Sequence, residues 1–74
     1  MSKPKAVTAV QLVRLVERLD FRFVRQSGSH ATYRHPDRRW TIIPIHKGRT
    51  IGKGLLRKIL NDLDLTVDQF NEMV

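Results

Sequence analysis

The chain has 74 residues and no cysteine, which leaves room for one hydrophobic core and excludes disulfide staples and thiolate metal sites. All fourteen Lys and Arg fall in residues 1–60 against only Glu17, Asp20 and Asp37, a balance of +11, whereas residues 61–74 hold Asp62, Asp64, Asp68 and Glu72 with no base, a balance of −4. Charge divided in this way gives a small domain a directed field and marks a polyanion, nucleic acid above all, as the expected partner.

Residues 1–74 read as a single domain, with residues 1–6 as a flexible basic arm. No apolar run reaches the length of a membrane span, and no apolar stretch follows Met1-Ser2-Lys3-Pro4-Lys5 as it does in a secretory leader, so no membrane partner and a cytoplasmic location are expected. The first helix begins at Thr8. Gln11 completes a capping box, Val7 and Leu12 are spaced as a hydrophobic staple, and Leu12, Leu15, Val16 and Leu19 form the apolar stripe to an end near Asp20.

Three strand signals follow. Phe21–Gln26 is aromatic and β-branched and begins by alternating, Ser27-Gly28-Ser29 is a turn, and His30–His35 alternates. Pro36–Arg39 is a second turn, with proline at a favoured corner. Trp40–Ile45 is the third strand, and Pro44 places it at a sheet edge or ends it there. After the basic loop His46–Thr50, a second helix is expected from Gly52 or Lys53 to about Asp62, burying Leu55, Leu56, Ile59, Leu60 and Leu63 and leaving Lys53, Arg57 and Lys58 in solvent. Thr66 and Gln69 repeat the capping box for a short last helix, with Leu65 and Phe70 as staple. The pattern predicts an α+β fold, α-β-β-β-α with an extra C-terminal helix and the helices on one face of a three-stranded antiparallel sheet.

Chemistry-bearing residues are few. His30, His35 and His46 show no metal-ligand spacing, and Gly52-Lys53-Gly54 lacks the rest of a phosphate-binding loop, so no metal and no small-molecule cofactor are expected. His30 follows a tight turn and opens a strand expected at an exposed edge. Alternation places His30, Thr32 and Arg34 on one face; Tyr33, with Phe21 and Phe23, would pack against the helices. A neutral imidazole beside guanidinium groups suits RNA cleavage, since it can take the proton of a ribose 2′-OH while cations stabilise the phosphate. His35 reads as a strand-end residue packed on the turn, and His46 as the second acid/base candidate. Lys47, Arg49 and Lys53, the last at a helix N-terminus, read as a phosphate-binding rim. Trp40 reads as a partly buried strand aromatic, with base stacking as the other option. The residues alone leave three functions open: a ribonuclease, a non-catalytic RNA-binding module on the same basic face, and a protein whose basic face docks an acidic partner.

Asp20-Phe21, Arg25–His30, Tyr33–Asp37, Ile43-Pro44-Ile45-His46 and Gly54–Leu60 together resemble the HicA (YcfA-like) toxin family. The resemblance runs from the first helix to Phe70, and the Gly-Ser-His step followed by Ile-Pro-x-His gives it specificity. It implies a double-stranded-RNA-binding-domain-like fold and a ribosome-independent endoribonuclease acting on messenger RNA as the toxin of a toxin–antitoxin pair. It further implies His30 as the catalytic residue, with a HicB-type antitoxin masking it. Ser29 and His46 are supporting catalytic candidates, and Gly28, Arg34, Lys47, Arg49 and Lys53 are candidates for RNA contact. Two departures stand out. Asp20 occupies a position where the family usually has glycine, and Arg38 follows Asp37 where the second turn often has glycine. Aspartate tolerates a left-handed helix end.

Overall fold

The computed structural model describes residues 2–74, in the order α1 (Ala9–Arg18), β1 (Arg22–Ser27), β2 (His30–Arg34), β3 (Trp40–Pro44), α2 (Lys53–Asp62) and α3 (Val67–Met73). This is the double-stranded-RNA-binding-domain-like α-β-β-β-α arrangement with one helix appended. Both capping boxes form. The Gln11 N–H donates to Thr8 Oγ1 at 3.3 Å and the Thr8 N–H to Gln11 Oε1 at 2.8 Å. Thr66 and Gln69 repeat this at 3.1 and 2.9 Å. Each such cap satisfies backbone donors that a helix start would otherwise leave open.

The helix ends are matched as well. At the end of α1 the Phe21 N–H donates to Val16 O and the Asp20 N–H to Glu17 O, with Asp20 at φ 70°. At the end of α2 Leu65 donates to Leu60 O and Asp64 to Asn61 O, with Asp64 at φ 58°. Both are Schellman closures in which aspartate holds the left-handed position that glycine usually takes. The first one swings Phe21 into the core, where it is fully buried with Val16. Phe21 thus precedes the sheet, and β1 starts one residue later than the sequence pattern places it.

The sheet is antiparallel in the order β1-β2-β3. His30 was expected on an edge strand, but β2 is central and only the hairpin tip beside it is open. β3 is an edge, as Pro44 requires. The Ile45 N–H donates to Ser29 O at 2.6 Å, so in the alternating ladder Pro44, opposite His30, takes a position whose N–H would point away from β2. A bulge lies between Phe23 and Arg25, with Val24 as the extra residue. The helices pack chiefly over β3, so β1 overhangs the core and all six of its residues are exposed. Phe23, expected against the helices, meets Tyr33 edge-on at 5.8 Å yet stays 55% exposed.

The core is one cluster between the helices and the inner sheet face, centred on Leu12, Leu15, Ile43, Leu56, Ile59 and Phe70. Buried Thr41 is satisfied by donating to Asp62 Oδ2 at 3.0 Å. Leu55 departs from its expected burial and is 39% exposed. It lies about 100° around the helix from Leu56, beyond the stripe that faces the core. Residues 3–5, expected as a flexible arm, are tied to α3: Asn71 Oδ1 accepts the Lys5 N–H and Asn71 Nδ2 donates to Lys3 O, both at 2.9 Å. Met1, the remaining end of that arm, lies outside the described residues. Among the described residues no helix is long and apolar enough to cross a membrane.

The second turn is held by Asp37 and Arg39. The Asp37 carboxylate accepts the Arg39 N–H at 3.0 Å and Nε–H at 2.7 Å. The Arg39 guanidinium lies 5.3 Å over Phe21 and donates to Leu63 O at 2.6 Å. His35 packs its ring 5.1 Å from Phe21, as a strand-end residue should. Arg38 carries φ 82°, the conformation glycine would adopt without a Cβ penalty.

Two stability predictions follow from these turns. Arg38→Gly should raise the unfolding free energy by about 0.5–1 kcal/mol, read as a higher urea midpoint, and Asp20→Gly by less because aspartate tolerates the left-handed region. An unchanged midpoint for Arg38→Gly would show that the turn carries no strain. The Arg39 N–H first, then its guanidinium and His35, hold the Asp37 carboxyl below the usual carboxylate range against an opposing desolvation. Its folded-state pKa is thus depressed, so the stabilisation is present at neutral pH and lost as pH falls from about 4 through the folded value. Asp37→Asn should be less stable than wild type near neutrality, with the two converging in urea melts as pH falls through the folded value.

Candidate functional site

With helices on one face only, the other face of the sheet is bare. Cross-strand register places its residues in rows: Ser27, His30 and Pro44; Arg25, Thr32 and Ile42; Arg22, Arg34 and Trp40. His30, Thr32 and Arg34 share this face, as alternation predicts. Gly28 alone makes the hairpin at His30 possible. It has φ 58° while Ser29 is not left-handed, the pattern of a type II′ turn that needs glycine first. Gln26 Nε2 donates to Gly28 O at 3.0 Å, and Ser29 O takes the Ile45 N–H, so the backbone on both sides of the turn is fixed.

His30 is exposed and lines a hollow of about 440 Å³ with Arg25, Ser27, Thr32, Ile42, Pro44, Leu55 and Lys58. Its floor is apolar, from Ile42, Pro44 and Leu55. Arg25 and Lys58 bring positive charge, and Lys58 Nζ also donates to Asp62 Oδ2 at 3.1 Å. A second groove of about 590 Å³ is lined by Val24, Arg25, Thr32, Arg34, Arg38, Trp40 and Ile42. The two are continuous, because Arg25, Thr32 and Ile42 line both. No carboxylate lines either one.

The expected site residues are distributed unevenly. Arg34 lies in the second groove, two outer-face positions from His30. Ser29 sits half-buried at the second turn position, and it is Ser27, the cross-strand partner of His30, whose side chain lines the hollow. His46 lines a neighbouring hollow with Arg49, Gly52 and Ile51, divided from that of His30 by the shared Pro44 and Leu55. Lys47 and Lys53 are exposed but line none of these three hollows. Lys53 opens α2 after Gly52, which has no side chain to cap it. The expected rim of Lys47, Arg49 and Lys53 is therefore not gathered around His30.

Several lining residues escape a reading of the pattern. Arg25 falls on the same alternation phase as buried Phe21, and only the bulge turns it outward. Lys58 and Leu55 reach the hollow because α2 lies along β3, which no local signal encodes. Trp40, read as partly buried, is 55% exposed on the bare face. Tyr33, on the inner face, stays a neutral phenol: burial and then Glu17 push its pKa up. Among the described residues no three His, Asp or Glu side chains gather as a metal site.

The arrangement can therefore hold a polyanion against three arginines and a lysine, offer an imidazole to a proton in transit, and present an aromatic face to a planar group. A family model described as the HicA toxin of bacterial toxin–antitoxin systems matches residues 10–65. That span includes α1 from its second residue, the whole sheet and α2, and so every residue lining the two continuous cavities. No curated protein matches the chain at a significant level.

Proposed function

The chain belongs to the HicA toxin family of bacterial toxin–antitoxin systems, and on that premise we propose that it is a ribosome-independent endoribonuclease that cleaves messenger RNA with His30 as general base. As a toxin of this family it has a cognate antitoxin, which we assign to the HicB type and place over His30. The observation that carries the reading is the exposed His30 imidazole in a carboxylate-free hollow flanked by Arg25 and Lys58.

In the proposed reaction the neutral imidazole takes the proton of the ribose 2′-OH. The 2′ oxygen bonds to the adjacent phosphorus, the bond from phosphorus to the 5′ oxygen of the next nucleotide breaks, and that oxygen takes up a proton from water. The products are a 2′,3′-cyclic phosphate and a 5′-hydroxyl end. Arg25 and Lys58 meet the charge that grows on the phosphoryl oxygens. A single histidine base supplies only about 10²–10⁴-fold, so the rest must come from positioning on the basic face. The route uses acid–base chemistry alone, and cleavage should persist in excess chelator.

His30→Ala should lose about 10²–10⁴-fold in cleavage of purified messenger RNA without ribosomes, while keeping the wild-type melting curve and RNA affinity. A folded His30→Ala that cleaves as fast as wild type overturns the mechanism. RNA binding with no cyclic-phosphate ends from the wild-type protein would make this a binding module. Arg25→Ala and Lys58→Ala should each flatten the plot of log affinity against log salt by about 0.7, the share of one released counterion on a single strand, and unchanged slopes would remove them from the phosphate path.

A further inference from the structure

The second groove is not needed to cleave a phosphodiester, yet it is the larger of the two and is continuous with the first. Its most unusual member is Trp40, the only tryptophan of the chain. A tryptophan usually buries most of its area, and this one is 55% exposed beside Ile42 and Val24, themselves exposed. Among the described residues, the cation placed over an aromatic ring is Arg39 over Phe21, and none lies over Trp40. The indole face is thus open, while Arg25, Arg34 and Arg38 line the same groove without an acid among them.

We propose that the bare sheet face selects single-stranded RNA, stacking one unpaired base on Trp40 and holding its phosphate with Arg34 and Arg38. This rests on the reading of RNA as substrate and adds its strandedness and a second contact point. Trp40 stands opposite Arg34 and Pro44 opposite His30. The four-residue offset along β2 separates the two points by about 13 Å, roughly two nucleotides of an extended strand. A strand stacked at Trp40 therefore runs along Thr32 and Ile42 and brings a later phosphate into the His30 hollow. A duplex cannot do this, because its bases are paired and its major groove is too deep and narrow to admit an indole. An acidic protein segment would meet the arginines but has no planar group in register for the indole. Stacking tolerates every base, so the contact sets strandedness and length more than sequence.

The test uses the wild-type protein and short 2′-O-methyl oligoribonucleotides, which have no 2′-OH to attack and so report binding alone. Since Trp40 is the sole tryptophan, its emission reports occupancy of the groove, and anisotropy of a labelled oligonucleotide measures affinity separately. Single strands should quench the emission as they bind, while duplexes of equal length and poly-glutamate should not. Trp40→Ala should weaken single-strand affinity roughly 5- to 150-fold, and Trp40→Phe should recover part of it, both with wild-type melting curves. On cleavable RNA the loss should fall on KM. Binding without quenching, Trp40→Ala affinity within about twofold of wild type, or equal quenching by duplex or poly-glutamate would each overturn the proposal. Because the probes cannot be cleaved, these outcomes are independent of the His30→Ala result: the groove can fail while the catalytic reading stands, and the reverse.

Discussion

The helices of this small chain cover one face of its sheet and leave the other bare. The stripes of α1 and α2 and the ring of Phe70 are consumed in closing the inner face around Ile43, Ala31 and Tyr33. No helix remains for the outer face. A three-stranded sheet with one solvated side is stable if that side carries residues compatible with water, and here it carries arginines, His30, Ser27 and Thr32. The apolar exceptions, Trp40, Ile42 and Val24, are exposed because no helix among the described residues covers them. Economy of length thus concentrates both the charge and the uncovered apolar surface on a single face.

Phe21 joins that architecture to the turns. The left-handed Asp20 ends α1 abruptly enough for Phe21 to drop into the core, and burial of its ring stabilises by about 1.5–3 kcal/mol. His35 and Arg39 then close over it from the second turn, and Arg39 continues to the carbonyl of Leu63 at the end of α2. One side chain therefore aligns the end of α1, the β2–β3 turn and the end of α2. The departures at Asp20 and Arg38 both lie next to this junction. Backbone strain at them is tolerated because packing and hydrogen bonds around Phe21 fix the conformation from several sides.

The helices were legible because their signals are local. Thr8 with Gln11 and Thr66 with Gln69 encode two starts within four residues each, and the leucine stripes encode which side is buried. The orientation of His30 was legible for the same reason, since a two-residue turn and strict alternation fix β2. The closure at Asp20, which takes Phe21 out of β1, is local, and the other failures are non-local. The bulge at Val24 shifts the phase of β1 and puts Arg25, not a neighbour, beside Thr32. Leu55 continues an apolar run in sequence but sits off the stripe in space. Trp40 has every property of a buried strand residue except a partner, and the absence of a partner is a property of the whole fold. Lys47, Arg49 and Lys53 are close in sequence to one another, yet none lines the hollow that Lys58 enters from further along α2.

Charge follows the same division into faces. The acids of the last fourteen residues include Asp68 and Glu72 on α3, whose last turn is tied through Asn71 to the Lys3 and Lys5 backbone and through the Met73 carbonyl to the Arg18 guanidinium. Asp62 turns inward to Thr41 and to Lys58. No carboxylate lines the two continuous cavities of the bare face, although Lys58 at the edge of the His30 hollow is paired with Asp62. On the proposed function, an approaching RNA would be steered toward the sheet, an effect that salt screens over about 10 Å. On the same proposal, the acidic residues of the tail contribute by orientation: they weaken the helical face as a landing site and leave Arg25, Arg34 and Arg38 on the side where a phosphate backbone would settle.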